Sequence, residues 1–248
     1  MTGMLELVSV PNFRDIAGPV GYDTPRGPMR RGRIFRSSAF LASPEDLATL
    51  GGLGIAAIVD LRGRHEIERR PDSVLAGATW RHAWVPAPGV DLLGALRTAG
   101  DVRAAMIQHY REFVSAPRKR AGFAAALAAI SDGTAPQLFH CAEGKDRTGW
   151  LAMLLQRLAG VSEREIVADY LMTNETMRGR GDSRAMVRIA LGDRPDEFFA
   201  PALVADAAYL EAGMDQLRAD YGDLEKYLSA GLGLSGERLD RLHALLVS

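Results

Sequence analysis

The chain has almost no cysteine: Cys141 is the single one among 248 residues. One thiol cannot form an internal disulfide, and this composition is typical of proteins from a reducing compartment. The start of the chain lacks a basic segment followed by a long apolar run, so no secretory signal is predicted. No apolar run reaches the roughly 20 residues that span a bilayer. We therefore expect a cytoplasmic protein without stable membrane insertion, and secretion without a signal peptide is the alternative.

An excess of charge is also missing, because 30 basic and 31 acidic residues leave a formal net charge of −1. This balance gives no general attraction to polyanions, so no nucleic-acid partner is expected. Hydrophobic residues make up 47% of the chain and charged residues 25%, as in ordinary globular proteins. Internal repeats and long linkers are not seen, which favours one domain over residues 1–248. These patterns do not specify an oligomeric state.

The remaining patterns alternate between strand and helix. Strands are predicted at four short segments: GRIFRS, IAAIVDL, TWRHAWVPAP and QLFHC. A first helix is predicted at SPEDLATLGGLG, where Ser43 caps the N-terminus and Pro44 follows. Beyond Gly160 the pattern is helical to the end, beginning with a capping box of Ser162 and Glu165. Strands alternating with helices, then helices alone, indicate an α/β fold: a central, mainly parallel, twisted sheet flanked by helices, with a largely helical C-terminal third.

The cysteine ends the segment QLFHC and precedes a short polar loop and an apolar helix, RTGWLAMLLQRLAG. In such an arrangement the loop N–H groups and the helix N-terminus form an anion site. Gly144 supplies the backbone freedom that a tight loop needs, and Arg147 can bind two oxygens of a tetrahedral oxyanion. The same positive surroundings favour the thiolate form of Cys141. A thiolate beneath a bound phosphate is placed for attack on phosphorus.

The segment HCAEGKDRTG resembles the His-Cys-x5-Arg-Thr/Ser signature of the protein tyrosine phosphatase superfamily. Its GKDRTG form resembles a bacterial and fungal branch that includes secreted mycobacterial phosphatases of dual or triple specificity. Further stretches resemble the same branch: NFRDIAG, GRIFRSS, VDLRGRHEIERRPD, IVADYLMTN and YGDLEKYL. The resemblance covers nearly the whole chain. It implies a cysteine-phosphatase fold and a metal-independent hydrolase of phosphotyrosine proteins that needs no cofactor. Phosphoserine, phosphothreonine, other phosphomonoesters and phosphoinositides are further candidate substrates.

The resemblance also implies a role for each catalytic residue. Cys141 is the nucleophile that forms a cysteinyl-phosphate, and Arg147 holds the phosphoryl group. His140 supports the thiolate through the local hydrogen bonds, and Thr148 donates a hydrogen bond to the thiolate as it leaves. The general acid is expected to be Asp146. The alternative acid is Asp60, at the end of the predicted strand IAAIVDL, because strand ends border the site in such sheets.

Phosphate binding is assigned to six consecutive residues: Ala142, Glu143, Gly144, Lys145, Asp146 and Arg147. Lys145 adds a positive charge that suits a doubly charged phosphate or a phosphorylated lipid headgroup. Glu143 brings a carboxylate into an anion loop, and it either points to solvent or weakens the binding of phosphoinositides. The resembling branch also has a helical lid over the pocket, expected here within about residues 172–205. Such a lid shields the cysteine and gates the substrate.

Several charged residues outside the loop have two interpretations. Asp60 pairs with a neighbouring arginine such as Arg62 or acts as the acid. Arg14 and Asp15 form a structural ion pair or contact the substrate, and Arg36 has the same two readings. The stretches RGRHEIERR and APRKRAG are expected to be solvated faces, with membrane or substrate docking as the alternative.

Two other functions compete with the phosphatase. One is a phosphate-binding pseudophosphatase that recognises phosphorylated partners without turnover. The other is a rhodanese-type sulfurtransferase, which also places a cysteine beneath an anion-binding loop. An arginine six residues after Cys141, followed by Thr-Gly, favours phosphate chemistry over sulfur transfer.

Overall fold

The computed structural model describes residues 7–88, 96–133, 136–177 and 194–247. Its strands within these ranges are Arg14–Asp15 (β1), Ile34–Ser38 (β2), Ala57–Asp60 (β3), Thr79–His82 (β4) and Gln137–Cys141 (β5). The α-helices in the same ranges are Pro44–Gly52 (α1), Arg64–Arg69 (α2), Ala99–Ser115 (α3), Pro117–Ser131 (α4), Asp146–Ala159 (α5), Glu163–Thr176 (α6), Asp196–Leu203 (α7), Ala207–Tyr221 (α8), Leu224–Lys226 (α9) and Gly236–Leu246 (α10). A π-helical turn, Tyr227–Gly231, follows α9.

The strands form one mainly parallel sheet in the order β1-β2-β5-β3-β4. Only β1 runs antiparallel to its neighbour, and the predicted α/β fold class is confirmed. The register pairs Cys141 with Ser38 on one side, and His140 with Asp60 on the other. The carboxyl ends of β2, β5 and β3 therefore meet at one edge, which is where ligands bind in such sheets.

Opposite faces of the sheet are buried under different helices, because side chains alternate along each strand. Phe35, Ile58 and Leu138 belong to an apolar cluster with Leu50 of α1. The neighbouring residues of the same strands point into a larger cluster that includes Phe139 and the helices α3, α4, α5, α8 and α10. Strands buried on both faces read as continuous apolar runs, as the sequence did at β3 and β5.

Helix α5 runs through the centre of the larger cluster, and the predicted all-round burial is confirmed. Trp150 is fully buried and packs against Phe113 of α3. The helix ends at Gly160, whose φ of 92° is the left-handed conformation that terminates many helices. Ser162 then caps α6 as predicted, because its hydroxyl accepts a hydrogen bond from the Glu165 N–H. Because this helix is packed on all sides, its N-terminus, where the cysteine loop ends, is held in a fixed position.

No helix in the described residues is long and apolar enough to cross a membrane. Residues 178–193 of the predicted lid lie outside the described ranges, which include the end of α6 and the whole of α7 on either side. The lid therefore stays a prediction.

Candidate active site

The catalytic loop, residues 141–147, connects β5 to α5. Cys141 ends the strand and is 2% exposed. Gly144 has a φ of 65°, and a Cβ there would stand 2.5 Å from the Ser37 carbonyl oxygen. The turn therefore requires glycine at this position for two reasons: its backbone is left-handed, and β2 approaches it closely. The N–H groups of Gly144, Asp146 and Arg147 meet no acceptor within the described ranges, so the loop keeps the unpaired donors that suit an anion.

The loop is held from behind by two side chains on one carbonyl group. The Gly144 oxygen accepts from Arg36 at 2.9 Å and from the Asn12 amide at 2.8 Å. Asn12 has a φ of 59°, a left-handed conformation that asparagine tolerates better than most residues. Thr176 donates to the other side of that amide at 2.8 Å. The tight turn of the loop is therefore built partly by the N-terminal segment.

A buried ion-pair cluster supports these contacts. The Asp169 carboxylate accepts from Arg14 and from Arg36, each at 3.1 Å. Burial raises the pKa of Asp169, but the two guanidinium groups outweigh it and the pKa lies below its usual value. Burial, with the charge of Arg14, lowers the pKa of Arg36 to about 10. Of the two interpretations, Arg14 follows the structural ion pair, but its partner is Asp169. Asp15 accepts instead from two backbone N–H groups, including that of Gly32.

Arg147 is oriented by a carboxylate that the sequence reading did not single out. The Glu66 oxygens accept from both terminal nitrogens of Arg147, at 2.8 and 2.6 Å. Glu66 also accepts at 2.8 Å from the N–H of Gly63. Burial lowers the pKa of Arg147, yet the Cys141 sulfur and the Glu66 carboxylate raise it above its usual value. The Nε–H of Arg147 meets no acceptor in the described part of the chain, so the guanidinium keeps donors for a ligand.

Three buried polar residues and the half-buried Asp72 form what we call the rear cluster, behind Cys141: Asp60, Arg62, Asp72 and His140. Arg62 forks onto Asp60, with Nε 2.9 Å from Oδ1 and one terminal nitrogen 2.7 Å from Oδ2. The same terminal nitrogen also contacts Asp72. Burial raises the pKa of Asp60, but its hydrogen bonds from Arg62 and the charge of His140 hold the pKa below its usual value. Asp60 is therefore paired with Arg62, as one reading of the sequence proposed.

His140 connects the rear cluster to the nucleophile. Its Nδ1 lies 3.3 Å from the Cys141 carbonyl oxygen and its Nε2 lies 3.3 Å from Asp72 Oδ2. Ligand atoms of Asp60, Asp72 and His140 lie within 4.8 Å of one another, a spacing that could suit a cation. The Arg62 guanidinium already bonds to both carboxylates, so the chain itself supplies the positive charge there.

Asp146 lies in a different environment, at the first position of α5. Tyr110 donates to its Oδ1 at 2.9 Å, and the Tyr170 hydroxyl lies 2.7 Å from that of Tyr110. Burial and then the charge of Asp146 raise the pKa of Tyr110 well above its usual value, so the phenol stays a neutral donor. The side chain of Asp146 is 23% exposed, whereas that of Asp60 is fully buried. Of the two candidate acids, Asp146 is the one with access to a ligand and without an arginine.

The sequence predicted that Lys145 binds the phosphate, but its ammonium group is bonded to the protein itself. Its ammonium donates to the carbonyl oxygens of Ala202 at 2.5 Å and Val204 at 3.1 Å, at the end of α7. It also lies 3.5 Å from Asp146. Cations are favoured at helix C-termini, where carbonyl groups lack partners. Lys145 therefore joins the catalytic loop to α7.

The other predicted residues lie where the loop requires them. The Thr148 hydroxyl is buried and has no hydrogen-bond partner among the described residues, so it stays available to the thiolate. Ala142 accepts at its carbonyl from the Ala39 N–H at 3.1 Å. Glu143 is half-buried, between the two orientations that the sequence left open. The stretch RGRHEIERR is only partly a solvated face, because Arg62 is buried and Glu66 binds Arg147.

These positions can be compared with known proteins. Residues 5–248 match the tyrosine phosphatase family. The chain belongs to this family. It is 34% identical over 235 residues to a protein of Cupriavidus necator that carries a tyrosine-protein phosphatase name, covering 90% of this chain and 82% of that one. It is 29% identical over 283 residues to the triple specificity protein phosphatase PtpB of Mycobacterium tuberculosis, covering 98% of each. The expected family and the enzyme class, a phosphoric monoester hydrolase, are confirmed.

A solved structure gives a weaker likeness. The core catalytic domain of the PP-IP phosphatase SIW14 from S. cerevisiae matches with a TM-score of 0.38 and 17% identity, covering 79% of this chain and 94% of that one. The family assignment does not depend on it.

Proposed function

We propose that the chain is a single catalytic domain that hydrolyses phosphomonoesters, with phosphotyrosine in proteins as the main substrate, through a cysteinyl-phosphate on Cys141. One observation carries the proposal. Cys141 lies at the base of a loop with unpaired N–H groups, and Arg147 is oriented there by Glu66 with donors left over. Preorganised donors of this kind are the main requirement for phosphoryl transfer.

In the first step the Cys141 thiolate attacks phosphorus, so that a sulfur–phosphorus bond forms while the phosphorus–oxygen bond of the ester breaks. The electron pair goes to the leaving oxygen, which takes a proton from Asp146. Two donors of Arg147 bind two of the phosphoryl oxygens: the Nε–H and the second N–H of Nη2, whose first N–H is bonded to Glu66 Oε1.

In the second step Asp146, now a carboxylate, takes a proton from water while the water oxygen attacks phosphorus. The sulfur–phosphorus bond breaks and inorganic phosphate leaves. The buried hydroxyl of Thr148 donates a hydrogen bond to the departing thiolate of Cys141. The His140 ring, 3.3 Å from the Cys141 carbonyl oxygen, holds the main chain of the cysteine in place during both steps.

Two features favour a phosphotyrosine side chain over a phosphoinositide. Cys141 is 2% exposed, so the phosphoryl group must reach a buried sulfur, which suits a long aryl ester. The Lys145 ammonium is bound to two carbonyl groups of the α7 end, and is not free for the second phosphate of a lipid headgroup. PtpB is named as a triple specificity protein phosphatase, and we propose that this chain likewise acts on phosphoproteins, in preference to phosphoinositides.

The test is hydrolysis of p-nitrophenyl phosphate in the presence of EDTA by wild type and Cys141→Ser. We expect turnover by wild type and none by Cys141→Ser, because the hydroxyl at this site is a far weaker nucleophile. Wild type is then compared on a phosphotyrosine peptide, a phosphoserine peptide and a phosphoinositide. The highest kcat/KM is expected for phosphotyrosine.

The outcomes separate the competing functions. A folded wild type that binds phosphopeptides without turnover is the pseudophosphatase. Release of sulfite from thiosulfate and cyanide, with no phosphate released from the aryl ester, is the rhodanese-type reaction. Preference for the phosphoinositide would overturn the substrate assignment and leave the cysteine chemistry intact.

A further inference from the structure

The edge strand β4 and the extended residues directly after it carry a row of exposed rings that the chemistry above does not use. Trp80 and Trp84 are 51% and 49% exposed, and His82 between them is also exposed. Side chains alternate along a strand, so these three share one face. The rings of Trp80 and His82 stack, with their centroids 5.4 Å apart. Large exposed apolar surface of this kind marks interaction sites more often than plain surface.

The backbone along the same row is open as well. Within the described residues β4 is the last strand of the sheet and pairs only with β3. The N–H groups of Thr79 and Ala83 each donate at 2.9 Å to a carbonyl on the β3 side. Alternation therefore turns the N–H and C=O groups of Trp80 and His82 away from the sheet. Proteins normally block such edges, because an open edge pairs with another strand.

The row leads to the catalytic loop. Val85 follows it directly, and its carbonyl oxygen lies 3.4 Å from a terminal nitrogen of Arg147. Trp84 lies against Gly63, the residue before α2, and α2 carries the Glu66 that orients Arg147. The central strand β5, which ends at Cys141, is two strands from β4, so a strand added outside β4 would lie three spacings from β5, or about 14 Å at ordinary strand spacing. A ligand strand on β4 therefore needs only a few further residues to reach the loop.

Helix α2, which begins beside Trp84, and the strand itself carry arginines. Arg64 and Arg69 of α2 are exposed, and Arg70 and Arg81 are half-buried. None of these four arginines has an ion pair with another described residue. The exposed acid on α2, Glu68, lies 3.7 Å from the neighbouring His65. An acidic partner would therefore meet positive charge on α2 and on the strand.

We propose that β4 binds an extended acidic segment of the protein substrate as an added strand, with the phosphorylated residue a few positions beyond the paired segment. This rests on the proposed function, since it names the substrate flank for the same catalytic loop. Strand addition satisfies the outward backbone groups of Trp80 and His82, and the rings receive its side chains. A lipid surface also suits tryptophan and arginine, but its apolar interior leaves such backbone groups without partners.

The first test compares two substrates in the full chain: p-nitrophenyl phosphate and an acidic phosphotyrosine peptide. Trp80→Ser is expected to lower kcat/KM for the peptide about tenfold and to leave the aryl phosphate unchanged. Val74→Ser is the matched control, because Val74 is 88% exposed and lies outside β4. It should change neither substrate. Equal loss on both substrates in Trp80→Ser would overturn the proposal.

A second variant tests the backbone. Proline is tolerated in an edge strand where its missing N–H faces solvent, as at Trp80. Trp80→Pro is therefore expected to keep aryl phosphate turnover and to lose more peptide activity than Trp80→Ser. The same peptide activity in both variants would remove the strand pairing from the proposal.

Binding is measured separately, so that failure of catalysis does not hide the result. Trp150 is fully buried, so changes in tryptophan emission report mainly on Trp80 and Trp84. Titration of Cys141→Ser with the peptide should shift the emission to the blue, and inorganic phosphate should not. If wild type fails on p-nitrophenyl phosphate yet this shift occurs, the proposed function fails and the edge site stands. Recruitment to phosphatidylserine vesicles that Trp80→Ser abolishes, without a peptide-induced shift, would assign the row to a membrane instead.

Discussion

Two arginines of the molecule are each paired with carboxylates. Arg147 lies in the catalytic loop, and Arg62 lies in the rear cluster. Arg147 is held by Glu66 and keeps its Nε–H, whereas Arg62 is held by Asp60 and Asp72 and donates through all three nitrogens. The same chemical pair thus has two uses. An arginine whose three nitrogens are all bonded to the protein holds the fold together, and an arginine whose Nε–H is left over can hold a ligand.

The most direct test of this difference replaces each of the two arginines with lysine. Arg147→Lys loses the planar guanidinium, and we expect kcat/KM for p-nitrophenyl phosphate to fall by roughly 10²–10³-fold with little change in fold. Arg62→Lys leaves two buried carboxylates poorly paired. It should lower the free energy of unfolding by about 3–5 kcal/mol and affect activity per folded molecule far less. The measurements are initial rates and urea unfolding. Equal activity losses in the two variants would remove the distinction between the two arginines.

A pair of glycines tests whether the loop geometry matters beyond backbone conformation. Gly144 and Gly54 have φ values of 65° and 67°, so alanine at either costs about 1–2 kcal/mol of stability. Only at Gly144 would the new Cβ meet a neighbour, the Ser37 carbonyl, and at Gly54 nothing lies within 4 Å. Gly144→Ala is therefore expected to abolish most activity and phosphate binding, and Gly54→Ala to keep both. A Gly144→Ala protein with normal phosphate affinity would contradict the role given to this turn.

The smallest effect concerns acid stability. Asp60, Glu66 and Asp169 have pKa values below their usual ranges in the folded chain, despite burial, because of their arginine partners. A lowered folded pKa stabilises the protein above the unfolded value, near pH 4, and this stability is lost as the pH falls through the folded value. These carboxylates should therefore make the free energy of unfolding fall steeply below about pH 4.5. Burial lowers the pKa of His109, which adds a shallower decline beginning near pH 6.5. Asp60→Asn should show a shallower fall, and an identical slope would exclude Asp60 as a contributor.

The sequence predicted what is encoded locally. Cys141, Gly144 and Arg147 stand within seven residues, so the strand–loop–helix pattern was enough to predict that they share one loop. The sheet class also followed, because buried parallel strands read as apolar runs. The end of β5 at Cys141 and the capping of α6 by Ser162 were also predicted, because each depends only on neighbouring residues.

The supporting residues could not be predicted in this way. Glu66 lies 81 positions from Arg147, and Asp169 lies 155 positions from Arg14. Their pairing depends on the strand order, which brings distant segments to one edge of the sheet. One weak signal existed for each: a Glu three residues after Gly63, and a single carboxylate among the apolar residues of IVADYLMTN. The contacts of Lys145 could not be predicted, because its partners at the end of α7 are backbone carbonyl groups, which every residue type has.

The most direct measurement of the account is the dependence of kcat/KM on the leaving group, over a series of aryl phosphates, for wild type, Asp146→Asn and Asp60→Asn. If Asp146 protonates the leaving oxygen, its loss should cost at least about 10²-fold on poor leaving groups and much less on p-nitrophenol. Asp60→Asn should then keep the shallow dependence of wild type. A steep dependence of kcat/KM on the leaving group in Asp60→Asn, with a wild-type profile in Asp146→Asn, would contradict this account. The acid would then belong to the rear cluster and not to the catalytic loop.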